Sequence, residues 1–285
     1  MVNPYASGVR PDRVDAVASE LGDVDVQLTQ HRGHATELAR DASGQVEAIY
    51  VFSGDGGFNE VLNGIDGTTP LGLVPGGGAS VLPRALGLPN DHVEAARRVR
   101  RGTARRISLG RINGRRFGFS AGIGLDAELV RRVDALGRTR DKGRAGNAAF
   151  AWAAVRTLAE QRFRLEPVLD VRGHGRAAFA LAANCDPYSY LGPVELHVAP
   201  DARFDDGLDL VAPRRVGPAS LPRFVAYVLR GRGQQTARDV LYLHDVDRAE
   251  VVCDSPQPAQ ADGEDLGDVT EVLLEAERDA VAVLV

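Results

Sequence analysis

The stretch 50-YVFSGDGGFNEVLNG-64 constrains this chain more than any other. Ile49, Tyr50, Val51 and Phe52 read as a short buried strand, although so short an apolar run is not told from a helix by periodicity alone. The chain breaks at Ser53-Gly54-Asp55-Gly56-Gly57, then resumes with Phe58, Val61, Leu62 and Ile65 at helical spacing. Strand, glycine turn and helix together make a phosphate cradle. Glycine lets the backbone approach a ligand closely, and a helix start offers unpaired N–H groups and a positive dipole end. Asp55 is the odd residue: a carboxylate beside a phosphate is repulsive unless a cation lies between them, which points to Mg²⁺. A Gly-Asp-Gly turn after a strand is often only a turn, so the motif needs context. No Gly-Lys-Ser/Thr follows, which excludes a Walker loop, and no G-x-G-x-x-G with a ribose acid is present.

The flanking sequence supplies that context. Residues 1–8 read as the end of a first strand and a turn, 11–22 as a helix, 24–29 as an alternating strand ending at Thr29, and 33–42 as a helix. After the glycine stretch, 70-PLGLVP-75 reads as a strand and Gly76-Gly77-Gly78 as a second glycine turn, with a helix from about Ser80. Strand–helix alternation of this kind predicts a parallel sheet with ligands beyond the strands' carboxyl ends. Thr29 and both glycine turns share that rim. Residues 91–101 read as a solvated, Arg-rich helix.

From about residue 105 the texture changes to strands joined by short turns: 105–112, 115–124, 165–173, 176–185, 194–200, 207–213 and 240–253. Helices are expected from Asp126 to about Leu136, over 147–161 with Trp152 and Phe150, and over 218–231. Residues 137–146, holding the chain's one lysine, Lys142, read as a mobile loop. The fold class expected is therefore an α/β N-terminal domain, residues 1–104, followed by a mostly antiparallel β domain, residues 105–271. The tail, 272–285, returns as a strand to the first domain.

Composition excludes some functions. With 44% apolar and 26% charged residues in 285, the chain is globular, and its net charge of −5 argues against a nucleic-acid partner. The bias towards arginine fits a GC-rich coding bias and carries no functional reading. Cys185 and Cys253 are too far apart for a C-x-x-C site and suit reduced thiols in the cytoplasm. No signal peptide and no membrane span are expected. The six histidines show no zinc spacing, so His34 and His197 read as surface or packing residues.

Three acidic clusters remain: Asp55, 205-DDG-207 and 262-DGED-265. Asp-Gly alone is common hairpin chemistry. Phosphoryl transfer, however, needs a cation, donors around the phosphates and a carboxylate to take the acceptor's proton. In this order the motifs resemble the bacterial diacylglycerol kinase-like lipid kinases, relatives of sphingosine and ceramide kinases. The family's Gly-Gly-Asp-Gly-Thr-x-Asn-Glu reads here 53-SGDGGFNE-60, and its Pro-x-Gly-Thr-x-Asn-Asp-x-Ala-Arg-x-Leu reads 75-PGGGASVLPRAL-86. Further matches are 3-NPYASG-8, 33-GHA-35, 122-GIGLDA-127, 199-APDARFDDGL-208 and 262-DGE-264, covering nearly the whole chain.

The resemblance implies a nucleotide-binding α/β domain like that of NAD kinases and phosphofructokinases, and a C-terminal β-sandwich. ATP and lipid would meet in the cleft between them. It implies that Gly54, Asp55, Gly56, Gly57, Phe58, Asn59 and Glu60 line the ATP phosphates with Gly77 and Gly78, that Asp55 governs Mg²⁺, and that Asn3 and Thr29 contact the nucleotide. Glu264, or its neighbour Asp262, would be the base for the lipid hydroxyl, and Asp126 would face the substrate. Asp206, with the carbonyls of Arg203 and Leu208, matches a structural Mg²⁺ site. Such an enzyme would be cytoplasmic, would meet its lipid at the inner membrane face, and leaves a homodimer open.

The chain departs from the family pattern at five positions. Ser53 stands for a glycine and Gly57 for a threonine, while Gly78, Ser80 and Val81 stand for Thr, Asn and Asp. Backbone N–H groups could still hold phosphate. The rival readings are a non-catalytic nucleotide- or lipid-binding regulator on the same scaffold, which the altered loops favour, and an NAD kinase-like enzyme acting on a soluble hydroxyl.

Overall fold

The computed structural model describes residues 1–135 and 147–285, with the side chains of 147–151 excepted. The loop expected at 137–146, with Lys142, lies outside the described residues, as does the side chain of Phe150. The remainder divides into an α/β N-terminal part and a mostly β C-terminal part, as the change of texture predicts.

The N-terminal part opens with helices α1 (Pro11–Leu21) and α2 (His34–Ala42). Strand β1 (Ile49–Ser53) leads into α3 (Asp55–Leu62), and β2 (Leu71–Pro75) leads through the second glycine turn into the short α4 (Val81–Ala85). Helix α5 (His92–Arg101) follows, started by Asp91, whose carboxylate accepts from the N–H groups of Val93 and Glu94. The two strands pair in parallel, Ile49 opposite Leu71 and Ser53 opposite Pro75, so both glycine turns leave the same edge. Phe52, Phe58, Leu62, Leu71, Leu73 and Leu82 are fully buried beneath them.

Two expected strands shrink to single bridges. Val2 bridges Phe52 on one side and Leu28 on the other, and neither segment extends further as a ladder. The alternation over 24–29 is real, but Val26 and Leu28 stay 43% and 50% exposed, so no burial rewards a longer pairing. The helix after β1 also starts earlier than its spacing suggests. Asp55, Gly56 and Gly57 form the first turn of α3 rather than a loop before it.

The second part begins with β3 (Ala104–Ile112), β4 (Arg115–Phe117) and β5 (Ser120–Ile123), where one strand was expected over 115–124. It continues with α6 (Leu125–Ala135), α7 (Asn147–Glu160), β6 (Leu169–Val171), β7 (Gly175–Ala177), β8 (Ala180–Ala183), β9 (Ser189–Leu191), β10 (Val194–Leu196) and β11 (Leu208–Pro213). Helix α8 (Leu221–Arg230) precedes β12 (Val240–Val246), β13 (Arg248–Ala261) and β14 (Glu264–Leu284). The strand expected over 240–253 thus breaks at Asp247. Except for β9 and β10, which pair with each other, all strands belong to one sheet, with central order β1-β2-β14-β13-β5-β8-β11-β12.

Strand β14 spans both parts. Its beginning pairs with β13, from Ala261 opposite Glu264 onwards, and its end pairs antiparallel with β3 and parallel with β2 through Val283 and Leu71. No described helix is long and apolar enough to cross a membrane.

Candidate functional site

The site gathers where the two glycine turns meet the β13–β14 hairpin. The turns touch backbone to backbone: a Cβ on Gly77 would lie 2.8 Å from the Gly54 Cα, and one on Gly54 would lie 3.3 Å from the Gly77 Cα. Only glycine fits at position 77, and a side chain at position 54 would be tight. Gly76 N–H donates to Ser53 O at 2.7 Å, and Gly8 N–H to Gly76 O at 2.8 Å, which ties the first segment to the second turn. Ser80, in left-handed backbone with φ 47°, accepts through Oγ from Gly77 N–H at 3.3 Å and closes that turn. Gly78 stands open, with no atom within 4 Å of a Cβ. Asp55, first in α3, accepts from Leu82 N–H at 3.4 Å across the gap between the turns. Asn3 and Thr29 sit on the same rim. Asn3 Oδ1 accepts from Tyr5 N–H at 3.0 Å, and Thr29 N–H donates to Val2 O at 2.9 Å.

The hairpin comes from Asp262-Gly263, both at positive φ (48° and 76°), the backbone a two-residue primed turn requires. It carries Glu264 to the first glycine turn. A Cβ on Gly56 would lie 2.8 Å from Glu264 Oε1, so the carboxylate stands directly beside the start of α3. Its Oε2 accepts from Arg115 at 3.0 Å and from Arg32 at 3.3 Å. Arg115 also donates to Asn59 Oδ1 at 2.7 Å.

The other candidate base is excluded by its surroundings. Asp262 is 3% exposed and accepts from Gly118 N–H at 2.6 Å, Asn59 Nδ2 at 2.8 Å, Phe119 N–H at 2.9 Å and Ser120 N–H at 3.1 Å. The Gly118–Phe119 break that splits β4 from β5 presents two of these donors. Burial raises the Asp262 carboxyl above its usual range, and the four donors oppose it. A carboxylate with filled lone pairs and no exposed face cannot take a proton from a substrate, so Asp262 holds the hairpin in place.

Two of the expected phosphate-lining residues also have structural work. Glu60 accepts from Gly33 N–H at 2.9 Å and Ala35 N–H at 3.2 Å, so its carboxylate caps α2 and turns away from the glycine turns. Phe58 is 1% exposed, its ring in the core.

Asp126 meets the site through Gln260. Gln260 Nε2 donates to Asp126 Oδ2 at 2.7 Å, and its Oε1 accepts from Gly263 N–H at 2.7 Å. The Tyr188 hydroxyl donates to Asp126 Oδ1. Desolvation raises the Asp126 carboxyl, opposed by Tyr188 and Gln260. Arg84 of the second motif stacks its guanidinium 3.3 Å over the Tyr190 ring and so joins α4 to β9. Sequence reasoning missed Arg32, Arg115 and Gln260. The one local signal was Arg32's place just before 33-GHA-35.

Asp206 lies apart, with no hydrogen bond to its carboxylate among the described residues. Asp206 N–H closes the turn onto the Arg203 carbonyl at 3.1 Å, while Leu208 continues into β11. A carboxylate and two carbonyls are the hard oxygen donors that Mg²⁺ takes. Elsewhere among the described residues, His31, His34 and Glu37 bring ligand atoms within 4.8 Å of one another. Gln30 N–H donates to His34 Nδ1 at 3.0 Å, which leaves the proton on Nε2 and that nitrogen without a lone pair for a metal.

Comparison with known proteins matches both parts. Residues 1–112 match the diacylglycerol kinase catalytic domain, and residues 120–285 match the YegS C-terminal NAD kinase beta sandwich-like domain. A diacylglycerol kinase of Bacillus subtilis is 30% identical over 205 residues, 70% of this chain and 66% of its own. A diacylglycerol kinase of Staphylococcus saprophyticus is 36% identical over 93 residues, 31% of this chain and 30% of its own. The aligned stretches thus span less than two thirds of these relatives' lengths. A crystal structure of a diacylglycerol kinase from Bacillus anthracis superposes with a TM-score of 0.73 over 99% of this chain and 94% of its own, at 18% identity, a likeness of fold.

Proposed function

This chain belongs to the bacterial diacylglycerol kinase-like lipid kinase family, and from that premise we propose that it transfers the γ-phosphate of ATP to the hydroxyl of a diacylglycerol-like or sphingoid-like lipid. One observation carries the reading: Glu264 Oε1 stands beside Gly56 at the N-terminus of α3, where a phosphate would sit. Glu264 takes the proton of the acceptor hydroxyl as it attacks. Arg32 and Arg115 orient that carboxylate and offset charge at the phosphates. The touching glycine turns present backbone N–H groups to the phosphates, and Asp126 faces the acceptor. Mg²⁺, when bound at Asp55, offsets the phosphate charge. A second ion would be held by Asp206 and the carbonyls of Arg203 and Leu208, away from the chemistry. The protein works in the cytoplasm and meets its lipid at the membrane surface.

The test is transfer of labelled γ-phosphate from ATP into the organic-extractable fraction, with Mg²⁺ and a mixed lipid panel. Label is expected with the unaltered protein and not with Glu264→Gln, which keeps nucleotide binding. No label from the unaltered protein, where a known lipid kinase labels the same panel, would sink the reading. The bare Gly78 and the buried Val81 favour the second reading, a nucleotide- or lipid-binding regulator. Tight binding without turnover, unchanged by Glu264→Gln, would select it.

A further inference from the structure

We propose that Ser53 supplies a hydroxyl donor to the polyphosphate seated at the N-terminus of α3, from the strand side of the cradle. Ser53 ends β1 and is 1% exposed, and its Oγ has no hydrogen-bond partner among the described residues. A buried hydroxyl without a partner destabilises the fold that holds it, so its retention needs a reason.

Its position supplies one. A Cβ on Gly57 would lie 2.0 Å from Ser53 Oγ, 2.8 Å from Ser53 Cβ and 3.7 Å from Asn3 Nδ2. The serine therefore already fills the space that a side chain at 57 would need, and the two positions exclude each other. Gly57 lies in the first turn of an eight-residue helix, whose leading N–H groups have no partner within the helix. The hydroxyl stands against that turn, at the bare face of Gly57. A neutral donor there adds a hydrogen bond to phosphate without adding charge beside Arg32 and Arg115. Ser53 with Gly57 is thus a coupled pair, and the two departures from the family pattern are one exchange rather than two losses. This inference rests on the nucleotide-binding reading above.

The experiment uses the full chain and four forms: unaltered, Ser53→Ala, Gly57→Thr, and the double exchange Ser53→Gly with Gly57→Thr. Calorimetry follows Mg-ATP and inorganic pyrophosphate, and thermal unfolding follows the ligand-free proteins. Ser53→Ala should weaken binding of both anions about ten-fold. It should leave the ligand-free melting temperature unchanged or higher, a split that a purely structural serine would not give. Gly57→Thr alone should lower the melting temperature, and the double exchange should restore both stability and affinity. Unchanged Mg-ATP binding by Ser53→Ala, or a Gly57→Thr protein as stable as the unaltered one, would overturn the inference while leaving the kinase reading intact. Ser53-dependent binding of pyrophosphate without ATP binding would overturn the nucleotide reading and keep the hydroxyl's role. Binding of neither anion overturns both.

Discussion

Asn59 Nδ2 donates to Asp262 Oδ2 at 2.8 Å, joining the first helix of the glycine cradle to a hairpin more than two hundred residues later in the chain. Both side chains are buried, and Arg115 takes the other end of the Asn59 amide. The hairpin that carries Glu264 is therefore positioned from within the N-terminal part.

Removing that donor tests the link. Asn59→Ala leaves a buried carboxylate one partner short and should cost about 1.5–3 kcal/mol of stability, read as a fall in denaturation midpoint. Asn59→Asp should cost more, because it sets a second carboxylate against the first.

Gly56→Ala should separate stability from activity. Gly56 lies in the first turn of α3, where alanine favours helix by up to about 1 kcal/mol. The new methyl meets only the flexible end of Glu264, so the protein should melt no lower. Glu264 would be displaced from the cradle, and phosphate transfer should fall at least ten-fold with folding intact.

The second turn offers a matched pair. Gly77→Ala drives a methyl against the backbone of Gly54 at 2.8 Å and should cost about 1–3 kcal/mol through strain. Gly78→Ala points into open space and should leave the melting temperature unchanged. Equal stability for the two variants would contradict the close approach of the turns.

His244 sets a pH dependence. Its Nδ1 lies 2.7 Å from the buried Asp209, and that hydrogen bond raises the imidazole above its ordinary value of 6.5. A folded value above the unfolded one contributes stability that is full below about 6.5 and is lost as pH rises through the folded value. His244→Gln should flatten the melting temperature across that window, and titration of the His244 ring by nuclear magnetic resonance should show a midpoint above 6.5.

The architecture was largely legible. Helical spacing after β1, the paired glycine turns and the shift to strands joined by short turns are local patterns that the structure keeps, although β13 and β14 run to 14 and 21 residues. The site was less so. Arg115 meets Glu264 across 149 residues and Arg32 meets it across 232, and apart from Arg32's place just before 33-GHA-35 nothing in the sequence near either arginine marks the contact. Asp262 was legible as a hairpin residue through its following glycine. That three backbone N–H groups join the Asn59 amide on its carboxylate depends on where β4 breaks, which no spacing announces. Glu60 misled for a similar reason: its place in the motif suggested phosphate, while its side chain faces the start of α2.

Strand β14 imposes an order on how the protein can be made. Strand β2 has β1 on one side and Val283 of β14 on the other, so its second neighbour emerges from the ribosome long after β2 itself. Until then the N-terminal part carries an open edge of unpaired backbone, the kind that recruits foreign strands. The glycine cradle thus gains Glu264 only when β14 is made, although its own motifs are synthesised first.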